Sequence, residues 1–447
     1  MVTIKKLHSI RKGQVFDMLK KVFNKIKNSL WLTPALYSAI GLCIAILTIT
    51  LDMYFNEHYE KFVPDIFLTS VDLATEILAT LSSALITMTT FTFSMTMVVL
   101  TTYSSQFSPR ALPNFMTQKA TMRVLGIFLG GFIYSINSLL FMRNSLDNEF
   151  VISAVIGVFI TIICLLFFIY FIHFIAKSIQ VDNLIENIAE ETLKSSKDIK
   201  NKMRDHKLTT VKQYSPPYLY GHSYYAKSSD YIKRVEMEEL VSLAATKYIF
   251  IKIHHKIGEF ITDNTLLFTI YSDEANLEEG VMKECADYIT LGRKRSPSQD
   301  LAYSLQQLVE IALRATSPAI NDPYTAKHCI RNVGKVLAES NTILDGDSLY
   351  MDTENQPRLL IPMEDLNNLL YFTFNQFNIE KRKDIIILGA IMDALIMTAQ
   401  KCSDDNKKIL WSFLAYKTFS FDELHQLHPY DQKFLEIKKQ KLFEVTH

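Results

Sequence analysis

Four stretches of this chain, at about residues 34–54, 74–102, 124–142 and 151–175, are long and apolar with no charge at their centres. A hydrocarbon core ~30 Å thick is crossed by roughly 20 residues of helix, so each stretch predicts a transmembrane helix. The chain has 447 residues, 49% of them hydrophobic, and these spans account for the excess. Beyond residue 180 the composition is that of an ordinary globular domain.

Basic residues set the expected orientation. Lys5, Lys6, Arg11, Lys12, Lys20, Lys21, Lys25 and Lys27 precede the first span, whereas the next loop carries Glu57, Glu60, Asp65 and Asp72 against Lys61. Arg110, Lys119 and Arg123 then precede the third span, and Lys177 follows the fourth. By the positive-inside rule both termini are cytoplasmic. Residues 15–30 interleave Phe16, Leu19, Val22, Phe23, Ile26 and Leu30 with lysines at helical spacing. They predict a basic amphipathic helix, either on the anionic inner leaflet or packed on the soluble domain. Lys+Arg and Asp+Glu both number 47, which gives no basic footprint for nucleic acid. Cysteines 43, 164, 285, 329 and 402 fall in no metal-like spacing and read as buried thiols in a reducing compartment.

The second span differs from the others. Steps of three and four along it pick out Asp72, Glu76, Thr80, Ser83, Thr87, Thr90, Ser94, Met97, Thr101 and Ser104 as one helical face, and Ser82, Thr89, Thr92 and Thr96 are expected to widen it. In lipid, hydroxyls need a partner or a wet cavity. One reading is helix packing, since small-xxx-small pairs recur at Gly41/Ala45, Gly126/Gly130 and Ser153/Gly157/Thr161. The other is a polar pathway lined by Thr80, Ser83, Thr87, Thr90, Ser94, Met97 and Thr101, with Asp72 and Glu76 at its outer mouth. Arg110, after Pro109, falls near its inner exit, as an anchor to headgroups or a selecting charge.

Residues 92–136, TFSMTMVVLTTYSSQFSPRALPNFMTQKATMRVLGIFLGGFIYSI, and residues 308–330, LVEIALRATSPAINDPYTAKHCI, resemble an uncharacterised bacterial family, domain-of-unknown-function family 2254. The similarity lies in Ser-Gln-Phe-Ser-Pro-Arg at 105–110, the Gly-rich third span and Ser-Pro-x-x-Asn-Asp-Pro-x-Thr-Ala at 317–326. Ala319 stands where glycine is expected. The resemblance implies a protein of the bacterial cytoplasmic membrane with a cytosolic domain, and no established activity.

The remainder predicts an α+β domain with a small β-sheet or barrel and several helices. Residues 231–235, 248–254 and 265–271 read as strands around a helix at 236–246. A helix is expected to start at Asn321 or Asp322 before Pro323, a strand pair near 345–347 and 358–362, and helices at 363–378, 382–401, 404–418 and 430–442. The expected domains are 1–33, a basic segment; 34–180, the membrane helices; 181–214, a stalk; 215–275, β-rich; and 276–447, mainly helical.

Catalytic signatures are absent: no phosphate-cradling Gly-rich loop, Gly-x-Ser-x-Gly or HExxH occurs. His254 and His255 are adjacent on an expected strand and so face opposite ways. Arg314, Asn321, Asp322 and Tyr324 form the best polar cluster of the soluble part, either a capping turn or an anion site at a helix start. No enzyme, cofactor or metal site is expected. The leading expectation is an oligomeric channel or permeation pathway for small ions, with cations favoured by the acidic mouth, the cytoplasmic domain assembling or gating the subunits, and the bilayer and further copies in a symmetric homo-oligomer as partners. The runner-up is a membrane-anchored sensor or scaffold whose cytoplasmic domain binds a small ligand or a partner protein.

Overall fold

A computed structural model describes residues 32–54, 68–107, 119–142, 150–204, 207–340, 344, 346–377, 384–417 and 427–447. The basic segment at 15–30 and Arg110 lie outside the described residues. The chain divides into two compact units, Met1–Gln180 and Val181–His447.

The first unit holds four helices long and apolar enough to cross a membrane. They are α1 (Leu32–Tyr54), α2 (Val71–Thr102), α3 (Lys119–Phe141) and α4 (Ser153–Ser178). α2 runs on into a π-helical turn at Tyr103–Phe107. The two-residue strands β1 (Thr69–Ser70) and β2 (Phe150–Val151) pair antiparallel where α2 and α4 begin.

The hub is α3, which packs against each of the other three and has 44% of its apolar window buried against 17–22% for them. Glycine makes this possible. A methyl group on Gly41 would lie 2.1 Å from the Gly130 carbonyl oxygen, and one on Gly130 would lie 2.6 Å from that of Tyr37. The backbones of α1 and α3 therefore touch directly, the route by which helices associate where lipid removes any hydrophobic drive between them. Gly157 of α4 is similarly tight: an added methyl group there would lie 2.9 Å from a Leu78 methyl carbon on α2. Two tyrosines pin α4 at its ends. Tyr134 of α3 donates its hydroxyl to the Ser153 carbonyl at 2.8 Å, and Tyr103 donates to the Ser178 carbonyl at 2.8 Å. Asp52 of α1 accepts the Ile152 N–H at 3.0 Å, which caps the start of α4 with a carboxylate.

The second unit is α+β. It begins with α5 (Val181–Arg204) and builds one open mixed sheet from β3 (Leu208–Val211), β4 (Tyr220–Tyr225), β6 (Phe250–Ile253), β8 (Leu266–Ser272), β10 (Asp347–Met351) and β11 (Pro357–Ile361). The order is β3-β10-β11-β6-β8-β4, with β11 and β6 parallel and the other neighbours antiparallel. A three-stranded antiparallel sheet has β5 (Asp230–Val235) between β7 (Phe260–Ile261) and β9 (Ile289–Gly292). Ile232, Ile251, Phe268 and Ile361 belong to one apolar core shared by both sheets.

Helices α6 (Met237–Thr246), α7 (Glu279–Asp287), α8 (Leu301–Ala315), α9 (Pro323–Ser340), α10 (Leu366–Phe374), α11 (Ile385–Ala399), α12 (Asp404–Lys417) and α13 (Pro429–Thr446) complete it. The β-rich stretch expected at 215–275 is not a sheet by itself, because β3 and the β10–β11 hairpin extend it from outside those limits. His254 and His255 do not sit within a strand either: β6 ends at Ile253.

The α1–α3 seam generates a prediction. Gly130→Leu forces the two backbones apart, a cost of about 3 kcal/mol or more. In detergent the variant is expected to lose its monodisperse elution and melt well below wild type. Gly280→Ala, where an added carbon meets nothing within 4 Å, should melt as wild type does.

Candidate functional site

The second span carries the feature that its neighbours lack. In α2 the apolar residues Ala74, Leu78, Leu85 and Val99 turn inward and are buried. The opposite face follows from the 3.6-residue period. Asp72, Glu76, Thr80, Ser83, Thr87, Thr90, Ser94, Met97 and Thr101 are all exposed, and Ser104 is half-buried. None of this face is used to pack the helix into its own bundle.

The row expected to widen the face turns the other way. Ser82 and Thr92 are buried, and Thr89 and Thr96 are half-buried. Their hydroxyls belong to the packing side, where Ser82 Oγ and Thr92 Oγ1 have no hydrogen-bond partner among the described residues. The two readings of the polar residues thus apply to different rows. The inner row supports helix packing, and the outer row is left bare.

Hydroxyl geometry gives the outer face a definite chemistry. Thr80 donates to the Glu76 carbonyl at 2.9 Å, Ser83 to Ala79 at 3.1 Å, Thr87 to Ser83 at 2.8 Å, Thr90 to Ile86 at 2.9 Å and Thr101 to Met97 at 2.9 Å. Each hydroxyl proton is directed at the carbonyl one turn earlier, a bond that also lowers the cost of placing the group in an apolar medium. A hydroxyl oxygen has two lone pairs besides its one donor, so what remains pointing outward is an array of acceptors. Asp72 and Glu76, in the first two turns, add carboxylates at one end.

The polar cluster of the second unit is a helix cap. Asn321 adopts a left-handed conformation at φ 50°, which lets the chain reverse after α8 so that Asp322 N–H meets the Ala315 carbonyl at 2.8 Å. Asp322 then accepts from the Tyr324 and Thr325 N–H groups at 3.2 and 3.1 Å, and from the Thr325 hydroxyl at 2.6 Å. The Thr325 hydroxyl, with the amides behind it, holds the Asp322 carboxyl below the usual aspartate range. The donors that an anion would use at this helix start are taken by the chain's own carboxylate. Tyr324 points into solvent, 69% exposed, and Arg314 lies in the last turn of α8.

His254 Nε2 pairs with Thr269 Oγ1 at 2.8 Å and His255 Nδ1 with Glu259 Oε1 at 3.0 Å, so the two rings serve different neighbours. Burial holds His254 below the ordinary histidine value. Among the described residues no group of three or more His, Cys, Asp or Glu is placed to hold a metal ion. Sequence reasoning missed Asp52, Tyr103 and Tyr134. A single carboxylate in the last turn of an apolar span was the available signal for the first. The tyrosines carried none, because their acceptors are backbone carbonyls far along the chain.

Residues 27–397 match the family described as predicted membrane protein, domain of unknown function 2254. The chain belongs to this family. Uncharacterized proteins of Mycobacterium bovis and Mycobacterium tuberculosis are 25% identical to it over 413 residues, which covers 90% of this chain and 78% of theirs. No solved structure matches it.

The cap makes a prediction about stability. Asp322→Ala should cost about 1 kcal/mol and speed hydrogen exchange at the Tyr324 and Thr325 amides. Because the folded carboxyl titrates below its unfolded value of about 3.9, its contribution is complete above that range. It is lost as pH falls through the lowered folded value. Amide protection at 324–325 is therefore expected to drop in acid for wild type and to be nearly flat with pH in the variant.

Proposed function

We propose that this protein is an oligomeric membrane channel for small cations, with the outer face of α2 lining the pathway in a symmetric arrangement of several copies. The observation that carries this reading is the exposure of that face along the whole span, from Asp72 to Thr101. A polar stripe of this length, unused by its own bundle, is accounted for by water or by a second copy across a narrow lumen. The back-bonded hydroxyls favour cations, because oxygens whose O–H is already donated to a carbonyl can only accept further, and an acceptor wall substitutes for part of a cation's hydration shell.

Asp72 and Glu76 would concentrate cations at the mouth. The distribution of Lys and Arg supports a mouth on the outside and both termini in the cytoplasm of a bacterial cell. Arg110 falls near the inner exit in this arrangement, and the second unit assembles or gates the subunits. No catalytic step is assigned to it.

Cysteine accessibility tests the lining directly. Single cysteines at positions 83, 87, 90 and 94 should react with a water-soluble thiol reagent from the aqueous side. Cysteines at Leu78 and Leu85, both buried on the packing side of α2, should not. In planar bilayers wild type is expected to conduct, and Thr90→Leu to keep its oligomeric state while losing most of its current. Reaction equal at all six positions, or no current under any voltage or tension, would sink the proposal.

A further inference from the structure

In the second unit a cavity of about 520 Å³ opens between the β6–β7 turn, the segment that leads into α8, and α10. Its volume is within the range of small-molecule sites. Lys256, Arg295, Glu259 and Glu364 supply the charged part of its wall, and Leu369 and Phe372 an apolar part.

The guanidinium of Arg295 is built into place. Its Nε and Nη2 donate to the two Asp300 oxygens at 2.7 and 2.8 Å, and its plane lies over the Tyr303 ring, 5.2 Å from the centroid. The Asp300 carboxylate is 2% exposed and also caps α8 through the Tyr303 N–H at 2.9 Å. Gly258, at φ +87°, completes the mount: an added carbon there would lie 2.0 Å from Asp300 Oδ2 and 3.0 Å from Arg295 Nη2. Any other residue would displace the pair. Nη1 is left for a ligand, and a donor fixed beforehand loses little freedom on binding.

The rest of the wall is balanced in sign. Lys256 Nζ lies 3.1 Å from Glu364 Oε1, with both side chains largely shielded at 32% and 23% exposure. Glu259 accepts from the Lys256 N–H at 3.0 Å. A simple anion drawn to Arg295 and Lys256 would meet two carboxylates, and a simple cation would meet two positive groups. A molecule carrying one charge of each sign satisfies both.

We propose that this cavity binds a free amino acid or a similar zwitterion, its carboxylate against Arg295 and Lys256, its ammonium against Glu364 and Glu259, and its side chain against Leu369 and Phe372. Lys256 and Glu364 also wall a second cavity of about 250 Å³ bounded by Ser195, Asp198 and Lys202 of α5. A ligand that parts this ion pair acts at the helix that follows the last membrane span. The inference stands apart from any role of α2 in conduction.

The test uses the full-length chain in detergent and isothermal titration with each standard L-amino acid. Two probes accompany leucine: isocaproate, which lacks its ammonium group, and isoamylamine, which lacks its carboxylate. At least one amino acid is expected to bind saturably, with singly charged analogues about tenfold or more weaker. Lys256→Met and Glu364→Gln should each weaken binding by about tenfold or more, and Lys247→Met, on another surface, should leave it unchanged. Where either variant fails to fold, Phe372→Ala, at a ring 60% exposed, replaces it and is expected to weaken binding. Absence of binding by every amino acid overturns the proposal. So does equal binding of one singly charged analogue, or unchanged affinity in the folded variants. The readout is heat, not current, so a protein that never conducts leaves it intact.

Discussion

The direct backbone contact between Gly41 and Gly130 is the constraint on which the membrane unit depends. Helices in lipid gain little from burying apolar side chains against one another, so close approach must supply the attraction through dispersion. Once glycine lets α1 and α3 meet at backbone distance, α3 becomes the centre, with α2 and α4 laid against it. A helix on the outside of such a bundle has a face with nothing to pack on. In α1 and α4 that face carries Leu36, Leu47, Leu166 and Ile169 and suits lipid. In α2 it carries a row of hydroxyls and two carboxylates, flanked by the exposed Leu73, Phe91, Phe93 and Val98.

This contrast ties the sequence to the proposed function. Lipid-facing positions have no reason to be Thr or Ser, and the i−4 hydrogen bonds make those residues tolerable there without making them useful. They present outward an array of oxygen acceptors held at fixed spacing by a regular helix. The tyrosines hold α4 at both ends and Asp52 caps its start, so α4 is fixed in the bundle by contacts that leave the stripe of α2 untouched.

The second unit arranges its polar chemistry differently. Asp300 serves three groups at once, the Arg295 guanidinium, the Tyr303 amide and, by exclusion, Gly258. A carboxylate buried to this degree needs its full set of partners. The arrangement requires a backbone position open only to glycine, and the result is an arginine with one fixed edge toward a cavity. By contrast, Asp322 commits its acceptors to its own helix start, so the turn that most resembles the family is a structural stop between α8 and α9.

Much of this was legible in the chain itself, for reasons of period and size. The lengths of four apolar runs fix the spans, the three-and-four spacing fixes which residues share a face, and small residues mark where backbones meet. Asp322 before Pro323 fixes the start of α9. The sheet was less legible, because β3 pairs with β10, residues from distant parts of the chain, and no local pattern encodes such a partner. The cavity around Arg295 was invisible for the same reason, since its wall comes from segments far apart in the chain. For α2 the division is sharpest. Sequence alone determined that one helix carries two rows of hydroxyls. Only tertiary structure decided that one row turns inward and the other outward, because direction is set by where α3 lies, and a single helix cannot record where its neighbours will be.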